Sequence, residues 1–180
     1  KTDRKAYLKA KLLCKLSYSH IYHNTMVKYY PMGEDLNKAM LEDLRKAEKY
    51  IFLEYFIIEE GIFWNGILDI LKEKSKHGVE IRVVYDDVGC MLTLPGDYYK
   101  TLQNHGIKAV RFSLFKGQAD NEFNNRSHRK ITVIDGKIGY TGGVNIADEY
   151  INEKKLFGKW KDAGIRLEGE AVKQLTSIFL

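Results

Sequence analysis

His128 and Lys130 stand two positions apart in the run Ser127-His128-Arg129-Lys130. An imidazole is a feasible nucleophile toward phosphorus, and it works as an acid or a base near neutral pH. An ammonium close by is a point-charge binder of phosphate. Asn145 adds a carboxamide donor. Gly142 and Gly143, without side chains, allow backbone N–H groups to approach a ligand closely. The set reads as an anion site for phosphodiester chemistry. The charge on a transferring phosphoryl group is met by Lys130, Asn145 and backbone dipoles, with no metal-ligand set and no cofactor implied.

These residues need a scaffold that gathers them. Side chains at i and i+2 of a strand share a face, so a strand through residues 128–134 projects His128 and Lys130 together. Asp135-Gly136 is a dipeptide preferred in two-residue type I′ hairpin turns. That turn places His128 opposite Gly143 and Lys130 opposite Thr141, with Asn145 on the same face. A bulge at the turn shifts this register.

The elements behind the hairpin follow from periodicity. Leu36, Met40, Leu44 and Ala47 form one face of a helix running from residue 33 to 49, with Glu34 and Asp35 in the dipole-favoured first turn. Residues 51–58, rich in β-branched and aromatic side chains, read as a strand buried on both faces. A helix over 63–76, a strand over 80–85, a short helix over 97–104 and a strand over 107–114 come next. After a polar loop at 116–127 come the hairpin, a short helix near 145–151, a strand over 163–167 and a final helix. Alternation of strand and helix predicts an α/β fold, a mixed, largely parallel sheet flanked by helices on both faces. Residues 1–30 read as a basic, tyrosine-rich N-terminal segment, helical over 6–16, and residues 31–180 as the catalytic domain.

The formal net charge of +5 favours anionic partners such as phosphates, anionic lipid surfaces or nucleic acid without choosing among them. No apolar run approaches the ~18 residues of a membrane-spanning helix, and the first fifteen residues lack the apolar core of a signal peptide. Cys14 and Cys90 sit in no metal-binding spacing; they read as free thiols or as one disulfide.

Once assembled, the pattern His128-x-Lys130, Asp135 and Gly142-Gly143-x-Asn145 resembles the signature of the phospholipase D superfamily. Residues 30–33, 51–58, 78–89, 125–130, 148–151 and 160–162 resemble the bacterial cardiolipin synthase branch. The resemblance covers about residues 28–180.

It implies a reaction in which two phosphatidylglycerols are joined to cardiolipin with release of glycerol, through a phosphohistidine on one of two facing half-sites. It implies His128 and Lys130 as catalytic groups with Asn145, Asp135 as a structural support, and Asp162 as the carboxylate that hydrogen-bonds the histidine. The expected partners are anionic phospholipid, a membrane surface and a second half-domain. Nucleic acid is not expected. Only one His-x-Lys pair is present, since His20, His23, His77 and His105 lack Lys at i+2. The second half is therefore expected beyond Leu180, or from a second copy in a homodimer. A nuclease or phosphodiesterase of the same superfamily and a non-catalytic binding or dimerisation module are the alternatives. The expected location is the bacterial membrane, with any anchor outside this chain.

Other residues keep two readings. Glu54, a charge in a buried strand, approaches the site or pairs with an arginine. Asp86 and Asp87 end a strand where ligand crevices open, or cap a turn. Arg126 touches phosphate or lies in a solvated loop. Phe56, Phe63 and Trp64 belong to the core or to a lipid-contact surface. The basic stretch 1–15 lies on an anionic membrane or in water.

Overall fold

Strand β2 (Tyr50–Tyr55) carries large side chains on both faces because both faces are covered. Ile51, Leu53 and Tyr55 pack against helices α2 (Gly33–Arg45) and α3 (Ile62–Lys76), while Phe52 joins Ile131 and Val133 beneath α5 (Val172–Phe179). This is the continuous apolar pattern of a central strand rather than an alternating one.

The computed structural model describes residues 3–17, 19–113, 126–155 and 158–180. Besides these elements it contains α1 (Arg4–Ser17), β1 (Thr25–Tyr30), β3 (Glu80–Asp86), α4 (Tyr98–Asn104), β4 (Lys108–Phe112), β5 (Lys130–Ile134), β6 (Ile138–Gly142), a 3-10 turn (Asp148–Ile151) and β7 (Gly164–Gly169). The seven strands form one sheet in the order β1-β7-β6-β5-β2-β3-β4. The mixed α/β sheet flanked by helices, expected from the element order, is present. Its parallel part is β2-β3-β4, and the other four pairings are antiparallel. Most of the polar loop expected at 116–127 lies outside the described residues.

Two readings change, and the two readings of the cysteines narrow to one. Residues 25–30, placed in the basic N-terminal segment, form the edge strand β1 and pair with β7 along its whole length. Thr-Met-Val-Lys-Tyr-Tyr is β-prone, and the strand ends at the residue before Pro31. The helix near 145–151 reduces to the 3-10 turn, because residues 143–146 run alongside residues 57–59 instead: Ile58 bridges Ile146, and Glu59 N–H donates to the Ile146 carbonyl at 2.9 Å. The two cysteines are both free, with Cys90 buried and accepting the Ile58 N–H at 3.2 Å.

The hairpin turn itself forms as its residue types dictate. Asp135 and Gly136 both have positive φ, 53° and 65°, and Lys137 N–H donates to the Ile134 carbonyl at 3.0 Å. The register beyond it differs from expectation: Ile134 pairs with Ile138 and Ile131 with Thr141. Lys137 is an extra residue on the β6 side, a bulge that moves every partner by one. Lys130 thus does not face Thr141; it is paired with Tyr55 of β2.

Candidate active site

The chain direction puts one set of strand ends together. β2 and β3 run parallel and end at Tyr55 and Asp86. β5 is antiparallel to β2 and begins at Lys130, and β6 ends at Gly142 beside the start of β7 at Gly164. Ligand crevices in α/β sheets open at the carboxyl ends of such parallel strands. His128, Lys130, Phe56, Gly143 and Asp162 all lie at this end.

His128 precedes β5 rather than lying in it, and is exposed. Lys130 is 5% exposed. They converge on Phe56: the His128 ring sits 4.8 Å from the Phe56 ring centroid, and Lys130 Nζ lies 5.5 Å from the same centroid. An aromatic face attracts a cation at this range. Lys130 Nζ also donates to the His128 carbonyl at 3.0 Å, which ties the two catalytic candidates into one local unit. Burial holds the Lys130 pKa below the ordinary lysine value, and the negative charge of Asp162 opposes that shift. Phe63 and Trp64 are core residues, whereas Phe56 is half-buried beneath the site.

Two buried carboxylates fix the segment that leads into His128. Asp86, fully buried, accepts from the N–H groups of Val88 and Gly89, and through its other oxygen from Ser127 N–H at 3.1 Å. Glu54 accepts from Ser127 Oγ at 2.6 Å and pairs with Arg129 at 3.4 Å. Of its two readings, Glu54 takes both at once: it pairs with an arginine and it holds the residue next to His128. Arg126 donates to the Ser113 carbonyl at 2.7 Å and lies 3.6 Å from Asp86, so these contacts belong to the scaffold rather than to a phosphate. Asp87 pairs with Arg111 at 3.1 Å. Ser127 was invisible as a site residue, because a serine before a histidine carries no signal until the sheet brings Asp86 and Glu54 beneath it.

The glycines serve a different purpose from the open backbone expected of them. Gly143 N–H donates to the Ala163 carbonyl at 3.0 Å. A Cβ on Gly143 would collide with the Asp162 carboxylate, and one on Gly142, at φ 156°, would lie 2.5 Å from the Ala163 carbonyl oxygen. The missing side chains make room for the chain at 162–164. Asp162 Oδ1 accepts the Ala163 N–H at 2.8 Å, and its charge acts on Lys130. Among the described residues it forms no hydrogen bond or ion pair with His128. What the structure shows for Asp162 is its electrostatic relationship with Lys130.

Asn145 is 3% exposed. Its Oδ1 accepts the Ile57 N–H at 3.1 Å and its Nδ2 donates to the Tyr150 hydroxyl at 2.7 Å. The amide links the loop after Phe56 to the 3-10 turn, and these contacts set the site from below. Asp135 stands at the far end of the hairpin. It accepts the N–H groups of Glu48, Lys49 and Tyr50 at 2.7–2.9 Å, so it locks the turn onto the α2–β2 connection.

The arrangement therefore offers one accessible imidazole and one sheltered cation on an aromatic floor, in an α/β half-domain. The same fold occurs in a solved phospholipase D family member, Nuc from Salmonella typhimurium, with a TM-score of 0.61 at 18% identity over 86% of this chain and 88% of that one. A family model described as the cardiolipin synthase, PLD-like domain matches residues 40–179, and the chain belongs to that family. An uncharacterized protein of Streptococcus mutans is 50% identical over 89% of this chain. A cardiolipin synthase of Oceanobacillus iheyensis is 38% identical over 87% of it. The chain spans about a third of the length of these two relatives, 35% and 33%.

Proposed function

We propose that this chain supplies one half-site of a phosphatidyltransferase that joins two phosphatidylglycerols into cardiolipin and glycerol. The observation that carries the reading is the convergence of an exposed His128 ring and a buried Lys130 ammonium on Phe56, in a member of the cardiolipin synthase family.

The His128 imidazole attacks phosphorus of the first phosphatidylglycerol. The phosphorus–oxygen bond to the headgroup glycerol breaks as the nitrogen–phosphorus bond forms. The histidine of a second half-site, in cis or from a second copy, protonates the departing glycerol oxygen. It then takes the proton from a headgroup hydroxyl of the second phosphatidylglycerol, whose oxygen displaces His128. Lys130 holds the non-bridging phosphoryl oxygens. Asp162 favours the charged form of Lys130, and Asp86, Glu54, Ser127 and Asn145 hold the lead-in to His128 and the Phe56 loop in place. Asp135 maintains the hairpin, and Arg126 braces Asp86. No helix among the described residues is long and apolar enough to cross a membrane.

A second reading, a phosphodiesterase or nuclease acting as a homodimer, is favoured by one observation. This chain covers 88% of a solved phospholipase D family chain, so a polypeptide of this size holds the fold by itself. Product analysis of the full-length protein decides between them. Cardiolipin and glycerol from phosphatidylglycerol support the first reading; nicked DNA without lipid transfer supports the second.

A further inference from the structure

The basic excess of the chain sits in one element. Of its 29 Lys and Arg, five (Arg4, Lys5, Lys9, Lys11 and Lys15) lie in α1, which holds no Asp or Glu. The rest of the chain is left with 24 basic and 24 acidic residues, so α1 carries a charge equal to the whole formal net charge of +5. Repulsion among so many like charges in one helix calls for a compensating anion.

The same helix has no buried residue. Tyr7, Leu8, Leu12, Leu13 and Leu16 are each at least 50% exposed. Leu8, Leu12 and Leu16 fall at i, i+4 and i+8, a row along one side, with Lys9 and Lys15 on its two flanks and Lys5 in line with it one turn before Leu8. A solvated helix accounts for the lysines and leaves the leucines in water. A nucleic-acid contact accounts for the charge and again leaves the leucines unused. An anionic bilayer surface takes both: the leucines enter the headgroup boundary while the flanking lysine stems extend their ammonium groups to the phosphates.

We infer that α1 is an interfacial helix that lays the chain on an anionic phospholipid surface. The inference goes beyond the half-site reading and does not require His128 to be catalytic.

Co-sedimentation of the chain with vesicles tests it. Vesicles of phosphatidylcholine alone are compared with phosphatidylcholine and phosphatidylserine in equal parts, the latter anionic but lacking the glycerol headgroup. Binding is expected to the serine-lipid vesicles only, and to weaken with added salt. Replacing Lys9, Lys11 and Lys15 together by Gln is expected to weaken it about a hundredfold, from roughly five-fold per charge. Leu8→Ser with Leu12→Ser and Leu16→Ser is expected to weaken it at unchanged charge. His128→Ala is expected to leave it unaltered, which separates this surface from the proposed site. Thermal unfolding should be the same in the two α1 variants, because α1 buries nothing. Equal binding by the lysine variant overturns the inference. So does binding lost only on His128→Ala, or absence of binding to the serine-lipid vesicles, whether or not duplex DNA is retained.

Discussion

The Asp162 carboxylate occupies the space that a side chain on Gly143 would fill. Absence of one Cβ thus places a negative charge next to Lys130, whose ammonium is otherwise disfavoured by burial. Gly143→Ala must push that carboxylate away. Because misplacing a site group by about 1 Å can cost a hundredfold in rate, the expected outcome is a fall in phosphatidyl transfer of about that size. Asp162→Asn should show a similar loss. A Gly143→Ala enzyme with the wild-type transfer rate would show that Asp162 plays no part.

Burial of the Lys130 ammonium costs stability. Its pKa lies below the ordinary value because burial disfavours the charged form, with Asp162 partly offsetting this. Between that depressed value and the ordinary 10.5, the unfolded chain binds more protons than the folded one, so stability rises with pH through this window. Lys130→Met removes the buried charge and this pH dependence. It should raise stability by about 1 kcal/mol, seen calorimetrically as ~2–4 °C in Tm for a chain of this size, while abolishing transfer.

Asp135 should behave as a support. Burial works against its charge, but three backbone N–H bonds outweigh that and bring its pKa below the ordinary carboxylate value. The stability it contributes is therefore present above pH 3.8 and is lost as pH falls through the folded pKa. Asp135→Ala loses the three bonds and leaves alanine at φ 53°, at a combined cost of about 2–4 kcal/mol. Asp135→Asn tolerates the backbone and keeps an acceptor, so chemical denaturation should show about half that loss.

Ser127 is the joint between two buried acids and the catalytic candidate. Ser127→Ala keeps the N–H bond to Asp86 but leaves Glu54 without its 2.6 Å donor. A loss of about 1–2 kcal/mol and a roughly tenfold fall in turnover with little change in KM are expected. A structural role confined to the sheet would lower stability and leave the rate of the folded enzyme untouched.

Parts of this site were legible in the residues and parts were not, and the division follows sequence distance. The turn at Asp135-Gly136 is set by two adjacent residues that accept positive φ, and it was readable. The register beyond it was not, because Lys137 bulges while Asp135 is drawn to the backbone at residues 48–50. β2 and the faces of α2 and α3 were legible from periodicity. β1 was hidden within a basic stretch, since its partner β7 lies at the other end of the chain. The glycine pair was visible as a gap, but what fills the gap, Asp162, is a tertiary fact. Phe56 reads as one more core aromatic until the ends of β2 and β5 are placed side by side.

The most direct test uses the full-length protein and phosphatidylglycerol labelled at phosphorus. Quenching in alkali, where phosphohistidine survives, followed by peptide mapping should find the labelled phosphatidyl group on the peptide that contains His128. The adduct should disappear in His128→Ala together with cardiolipin formation. Full-rate transfer by His128→Ala, or cardiolipin formation with the label only on a histidine of the other half-site, would contradict the assignment of His128 as nucleophile.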